Sequence, residues 1–578
     1  MTQRDLKLFI ARNAISQRYT KHSMEKSCTE CSAQFEITDD DLEFLKQFDV
    51  PAPQSCPECR LMRRMNERNA RKLYYRKCDK TGKEIVSQYH ADHPFPVYST
   101  EVWWGDSWDA MEYGMDIDFD KTFFEQYAEL RNRVPHIALY VISGSLQNSD
   151  FTNCTGYIKN CYLICESDYD EDCYYSNRIY HSNNLLDCSN CFENEVCYEV
   201  IDCRKCQRLR FSQDCENCHD SFFLKNCIGC TDCIGCINQR QKRYMIFNEQ
   251  LTKEEFETRK AALNLHTHSG IDSLREKCDK FFQKQPHKCV QNEHNENCTG
   301  DHLYDSKNSF MCLDCKDLED CRYCAKASMG VRSSMDYTSW GDKAELMYQC
   351  SSCGDNTYNL KFCSMCMTNV SDCEYCMQLT GASHMFGCVG VKKREYCILN
   401  KQYEKEEYEE LKKKLIAHMR ETGEYGELPP KEMCAFAYNE SIAMEYFPAT
   451  KEETLARGYK WRDEVDDMPD VEKIIPAEKL PETIEEVPDD VLNWAIRCEK
   501  TNRPFRIIQQ ELNYYRKYNL PIPHLHPDER HERRMKLRPP RKLCGRTCDK
   551  CKKEIQSTFS PERPETVYCE SCYLNEVY

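Results

Sequence analysis

The chain predicts a mainly β protein with peripheral helices, in which zinc ribbons at both ends flank two short-coil, cysteine-rich β-solenoid arrays. Three observations carry that expectation. The text from Cys28 to Trp104 returns without a gap from Cys498 to Leu574: Cys28 and Cys498, Cys56 and His526, and Cys78 and Cys548 each stand 470 residues apart. Small or apolar residues recur at every third position from Ser143 to Cys236. With 42 cysteines and 6 tryptophans in 578 residues, something other than a large apolar core must hold the fold together.

Each terminal unit contains two potential metal sites. In the N-terminal unit (28–105) the leading site is complete as Cys28, Cys31, Cys56 and Cys59, while the trailing site keeps Cys78 beside Thr81, Ser99 and Val102. The C-terminal unit (498–578) is the reverse, with a leading Cys498, Thr501, His526 and Glu529 and an intact trailing Cys548, Cys551, Cys569 and Cys572. Two CxxC turns separated by 17 residues, as in this last site, are the spacing of a structural zinc centre. The front site has a 24-residue spacer, and Leu42, Leu45 and Phe48 lie there at helical intervals, predicting a ribbon with a short inserted helix. Four protein ligands leave no open position, so both sites read as structural and about two Zn2+ ions are expected. Cys498 and His526, with His524, Glu529 or His531 nearby, keep a residual ligand set. The simpler reading is a metal-free relic, because losing two of four thiolates usually abandons the ion. Cys78 alone reads as a buried thiol.

Between the two sites of each unit runs a basic stretch. Arg60, Arg63, Arg64, Arg68 and Arg71 in the first unit stay in step with Arg530, Arg533, Arg534, Arg538 and Arg541 in the second. Spacings of three and four gather several on one helical face, until Pro539 and Pro540 break the second helix. Arg60, Arg63, Arg64, Arg68, Arg71, Arg533 and Arg534 are thus candidate nucleic-acid-binding residues. The competing reading is a solvated face paired with the chain's own surplus carboxylates.

In the first central array (143–250) the triplet run includes Cys161, Ile164, Ser167, Cys173, Ser176 and Ile179, with Asp170 and Asn194 as exceptions. Cys203, Cys215 and Cys227 add a repeat of twelve. Twelve residues with four inward positions suggest one coil of a slender β-solenoid whose thiols stack in columns. The spacing resembles that of the beetle antifreeze proteins, which turn Cys, Ser and Ala inward at every third position. No Thr-Cys-Thr occurs here, so the resemblance supports coil geometry and not ice binding. A looser second array (298–400) has phase slips before Cys350, Cys363 and Cys373. Both arrays close with related text, Tyr244 to Asn248 and Tyr396 to Asn400, 152 residues apart, so the central block reads as a duplication. Helical connectors follow (251–297 and 401–462), with Phe256 and Leu263 in one and Tyr408, Leu411 and Leu415 in the other, each placed to cap a solenoid end. Three fates stay open for the central thiols: reduced small fillers, disulfide staples, or metal and cluster ligands.

The remaining segments are an N-terminal extension (1–27), a linker with a short helix near Phe123 to Leu130 (106–142), and a flexible acidic tether (463–497) interrupted by Pro469, Pro476, Pro481 and Pro488. No apolar run reaches membrane-spanning length and the opening residues lack a secretion signal, so a cytoplasmic address is expected. A net charge of −17 argues against wholesale wrapping of nucleic acid. No phosphate-binding glycine loop, nucleophile elbow or zinc-protease helix occurs, and no small-molecule substrate is indicated.

The run Cys56-Pro57-Glu58-Cys59-Arg60-Leu61-Met62-Arg63-Arg64 and the later Pro94-Phe95-Pro96-Val97-Tyr98 resemble a group of uncharacterised cysteine-rich zinc-ribbon proteins from candidate phyla of ultra-small bacteria. The resemblance implies a ribbon-solenoid-ribbon order along nearly the whole chain. It also implies that Thr81, Ser99 and Val102 depart from a four-cysteine pattern. The expected function is a non-enzymatic, zinc-stabilised scaffold that engages RNA or a protein partner. The alternative is a thiol-based redox or metal-buffering protein using the central cysteine columns.

Overall fold

The computed structural model describes residues 23–364, 366–463 and 469–577, so most of the N-terminal extension lies outside the described residues. Met24–Ser27 already belongs to the first ribbon, pairing antiparallel with Gln34–Ile37.

Array 1 is a parallel β-solenoid with a constant step of twelve, as in Cys165 beside Asn177, Asn177 beside Ser189 and Ser189 beside Ile201. Each triplet places one residue inside, one on a short strand and one at a corner. The corners, among them Asn160, Leu163, Glu166 and Tyr169, have φ between 50° and 62°, in the left-handed region. That conformation costs a non-glycine residue roughly 1–2 kcal/mol. Asn and Asp bear it best and here stack as ladders, Asn148 Nδ2 donating to Asn160 Oδ1 at 2.9 Å and Asn160 Nδ2 to Asp172 Oδ1 at 3.1 Å.

The triplet geometry also explains the composition of the interior. Strand residues donate to the next coil (Tyr162 N to Cys173 O, 3.1 Å) and corner residues to the previous one (Leu163 N to Asp150 O, 3.2 Å). The N–H of the inward residue takes part in neither ladder and points into the lumen, where a buried unpaired donor is costly. Small polar side chains meet it. Ser176 Oγ accepts from Cys188 N at 3.0 Å, Ser212 Oγ from Leu224 N at 2.9 Å, and Asn194 Oδ1 from Cys206 N at 2.7 Å. The thiols serve the carbonyls instead: Cys188 Sγ lies 3.4 Å from both Leu186 O and Cys197 O. Burial holds Cys173, Cys197 and Cys315 well above the ordinary thiol range, which keeps them protonated donors. In this geometry the lumenal thiols fill the coils and also hydrogen-bond. Asp170 and Asn194, the sequence exceptions, point inward as well.

Array 2 is less regular. Its step is 11 between Asn292 and Leu303, 12 between Gly300 and Cys312, 13 between Leu318 and Val331 and between Glu345 and Tyr358, and 12 again between Ser383 and Glu395. The phase slips visible in the sequence are thus single-residue insertions in otherwise continuous coils.

Each array ends in an antiparallel turn, Glu249–Gln250 or Lys401–Gln402, followed by a helix, Lys253–Ala261 or Lys405–Glu421, which buries Phe256 or Tyr408 with Leu415. A second pair of helices leans on the same ends. His268–Phe282 reaches array 1 at Gly235 and Phe123–Arg133 reaches array 2 at Gly387. At both glycines φ is positive and a Cβ would come 2.9 Å from an aromatic ring.

The segment read as a flexible acidic tether is instead built into the C-terminal unit. Lys473–Pro476 pairs parallel with Trp494–Arg497, and Ile475, Ala477, Leu480, Ile484, Val487 and Val491 join the core under array 1. Those apolar residues lie between the carboxylates and prolines, whose density masked them; residues 464–468 lie outside the described residues.

Candidate metal centres and the arginine clamp

All four knuckles fold alike, whether or not the ligands survive. Cys28 N donates to Ala33 O at 2.9 Å, Cys78 N to Lys83 O at 2.8 Å, Cys498 N to Arg503 O at 2.9 Å and Cys548 N to Lys553 O at 2.8 Å. Each turn passes through a left-handed residue, Ser32, Gly82, Asn502 or Lys552. The second half of each site stands at the head of a helix: Pro57–Asn66, Thr100–Trp104, Pro527–Leu537 and Glu570–Val577.

Two tetrads, Cys28–Cys31–Cys56–Cys59 and Cys548–Cys551–Cys569–Cys572, bring all their sulfurs within 4.8 Å of one another and can hold a metal ion. Cys56 N donates to Cys28 Sγ at 3.2 Å, and Cys569 N to Cys548 Sγ at the same distance, as suits thiolate ligands. Hydrogen bonding from Cys59 pulls Cys56 down to about 5, and the Ser571 hydroxyl leads in pulling Cys569 down to about 6. Cys31 and Cys551 form the exposed vertex of each tetrad.

At the two incomplete positions the corresponding side chains cap helices. Ser99 Oγ accepts from Val102 N at 3.4 Å, and His526 Nδ1 from Asp528 N at 3.1 Å. Cys56, a ligand in the intact site, makes no side-chain cap. Among the described residues neither Cys78 nor the Cys498–His526 pair belongs to a group of three convergent ligands.

The arginines turn inward. Arg60 Nε lies 2.7 Å from Asp336 Oδ2 and Arg64 Nη1 3.3 Å from Asp336 Oδ1, all fully or nearly buried. In the other unit Arg530 Nη1 lies 2.8 Å from Asp187 Oδ2 and Arg534 Nη1 2.7 Å from Asp187 Oδ1. Asp187 and Asp336 are corner residues five coils before the corners Phe247 and Leu399 that close the two arrays. The N-terminal unit therefore grips array 2 and the C-terminal unit grips array 1.

One turn further on, Arg68 and Arg538 enter the crevice between the arrays. Arg68 Nε pairs with Glu166 of array 1 at 3.1 Å, and its Nη1 donates to Ser352 of array 2 at 3.0 Å. Arg538 pairs with Asp314 of array 2 at 2.7 Å and Asp202 of array 1 at 3.0 Å. Burial raises Glu166, but Lys326 and Arg68 outweigh it and hold the carboxyl at about 2. Arg63 pairs with Glu30, Arg71 with Asp528 and Arg533 with Glu199 at 3.3, 2.8 and 2.6 Å. The candidate nucleic-acid face is accordingly an internal one. The guanidiniums meet the chain's own carboxylates, as the competing reading had it, with Arg60, Arg64, Arg68 and Arg534 buried and Arg63, Arg71 and Arg533 half-buried.

The trailing halves complete the crossing. Val97–Tyr98 pairs parallel with His136–Ile137 just ahead of array 1, and Val567–Tyr568 with His287–Lys288 just ahead of array 2. Ser87 Oγ donates to Ala138 O at 3.4 Å and Ser557 Oγ to Cys289 O at 2.7 Å. The two ends also touch each other, through Lys542 and Glu58 at 2.8 Å and Lys72 and Asp528 at 3.2 Å. A third group, Asp202, Asp214 and His302, also brings its ligand atoms together. It is an ion-pair hub: Arg538 holds Asp202, while Asp214 and Asp301 flank His302 at 3.4 and 3.2 Å. Burial pulls His302 down, yet Asp301 and Asp214 lift it well above the ordinary imidazole range.

No protein-family model matches this chain, and no curated protein does. No helix of the described residues is long and apolar enough to cross a membrane.

Proposed function

We propose that the protein is a non-enzymatic scaffold in which two zinc ions hold the ends that clamp a pair of β-solenoids together. The observation that carries this reading is the pair of crossed clamps, Arg60 and Arg64 on Asp336, and Arg530 and Arg534 on Asp187, set one helical turn from a metal site or its relic. A thin solenoid with strained corners has little core of its own, so outside fasteners are the expected remedy. Tetrathiolate ligation favours Zn2+, and four protein ligands leave no place for a substrate. The matching contacts at the two ends support an internal duplication. A macromolecular partner would meet the outer face of array 1, where exposed Tyr157 stacks on Tyr169 at 4.9 Å and Tyr169 on His181 at 4.8 Å.

Redox or metal-buffering use of the lumenal thiols has less support. Among the described residues they form no convergent group of three, and burial makes most of them poor nucleophiles. Native mass spectrometry of protein purified without oxygen tests the choice. The scaffold predicts two zinc ions and reduced cysteines; many metals, or many disulfides formed in the cell, would favour the alternative.

A further inference from the structure

We propose that metal in the two tetrads controls the order of array 2 far more than that of array 1. The inference rests on the reading of both tetrads as metal centres. Both intact sites flank array 2 and reach array 1 by fewer contacts, Tyr573 Oη donating to Asn238 Oδ1 at 2.8 Å and Arg68 pairing with Glu166 at 3.1 Å. Cys56 and Cys59 begin the helix whose Arg60 and Arg64 hold Asp336, while Cys548 and Cys569 bracket the sequence that leads into Val567–Tyr568, the strand laid against His287–Lys288. From the same segment Thr558 Oγ1 donates to Asp301 Oδ2 at 3.1 Å, tying the first coils of array 2 to the C-terminal unit. Both lost sites flank array 1, Ser99 beside the Val97–His136 pairing and His526 at the head of the helix that holds Asp187.

The local chemistry points the same way. Ser99 and His526 cap their helices with their own side chains, so that side of the molecule asks nothing of a metal. Cys56 makes no such cap, so the head of its helix is tied to the knuckle through the tetrad. The arrays differ to match. Array 1 keeps a step of twelve, which lets its Ser and Asn acceptors meet each following inward N–H. Array 2 mixes steps of 11, 12 and 13; its lumenal acceptors still bridge successive coils, Ser334 Oγ accepting from Met347 N at 3.3 Å, but no single register runs along the array. Cys31 and Cys551, the exposed ligands, give a chelator its point of attack.

Hydrogen exchange read by mass spectrometry on the full chain, with and without a zinc chelator, decides it, with metal counted on the same samples by native mass spectrometry. Removal of two metals is expected to cut protection across residues 292–402 by about tenfold or more, while residues 140–250 change less than about twofold. Cys59→Ser and Cys572→Ser separate the two ends. Each is expected to lose one ion, the first loosening the coils around Asp336 and the second those near His287. Equal loss in both arrays, or an unchanged array 2 after the metals have gone, overturns the inference while the metal reading stands. Protein that carries no metal as purified, and takes up none when zinc is supplied, overturns both.

Discussion

Array 1 and array 2 are built on the same triplet rule, yet they reach stability by different routes. Array 1 keeps one register throughout, is gripped by a unit whose nearby ligand set is incomplete, and has beside it the caps made by Ser99 and His526. Array 2 changes register repeatedly and has a complete tetrad at each of its fastenings. The knuckle backbone is the same in all four places, so the turn stands without a full ligand set where Ser99 and His526 cap the helix.

The largest effect is expected from completing a ligand set beside array 1. Ser99 N already donates to Cys78 Sγ at 3.4 Å, as Cys569 N does to Cys548 Sγ at 3.2 Å. Thr81→Cys, Ser99→Cys and Val102→Cys together are expected to bind one further zinc ion, seen as a mass increase in native spectra. The next effect comes from the clamps. Asp336→Ala leaves Arg60 and Arg64 without a carboxylate in a buried site, at about 3–5 kcal/mol, measured as a shift in the urea midpoint. Asp187→Ala should cost less, since Glu511 stays 2.9 Å from Arg530.

Asp170 tests the lumen of array 1. Burial raises its carboxyl to about 8 from an ordinary value of 3.8; Oδ1 accepts from Ser182 N at 2.8 Å while Oδ2 has no partner. The folded chain therefore holds a proton that the unfolded chain releases. The stability linked to it is full below pH 4 and is lost as pH rises towards 8. Asp170→Asn, with Asn194 as precedent for the amide, is expected to stabilise by about 2 kcal/mol at pH 8 and by much less at pH 4, read as a difference in Tm. Equal gains at both values would remove the proton from the account. Smallest is Ser176→Ala, which strands the Cys188 N–H and should cost about 1–2 kcal/mol, whereas Ser176→Cys restores an acceptor and most of the loss.

The triplet and the twelve-residue repeat were legible because an inward position tolerates few side chains, so the coil writes itself into the sequence. The tetrads were legible for the same reason, four fixed cysteines at knuckle spacing. The arginine tract was visible but its direction was not. A guanidinium aimed at phosphate and one aimed at a buried carboxylate share the same helical spacing, and Asp187 and Asp336 lie more than 200 residues away in sequence among many other acids. The dual use of lumenal serines and cysteines was missed as well. Period three suggested small fillers, and only the backbone shows that the inward N–H needs an acceptor.

Carbodiimide coupling, which joins a lysine directly to a carboxylate it touches, tests the crossed arrangement most directly when the linked peptides are read by mass spectrometry. Lys542 is expected to join Glu58, Lys72 to join Asp528 and Lys288 to join Glu570, pairs 2.8, 3.2 and 2.9 Å apart. Loss of all three, with each terminal unit coupled only to its neighbours in sequence, would contradict that arrangement.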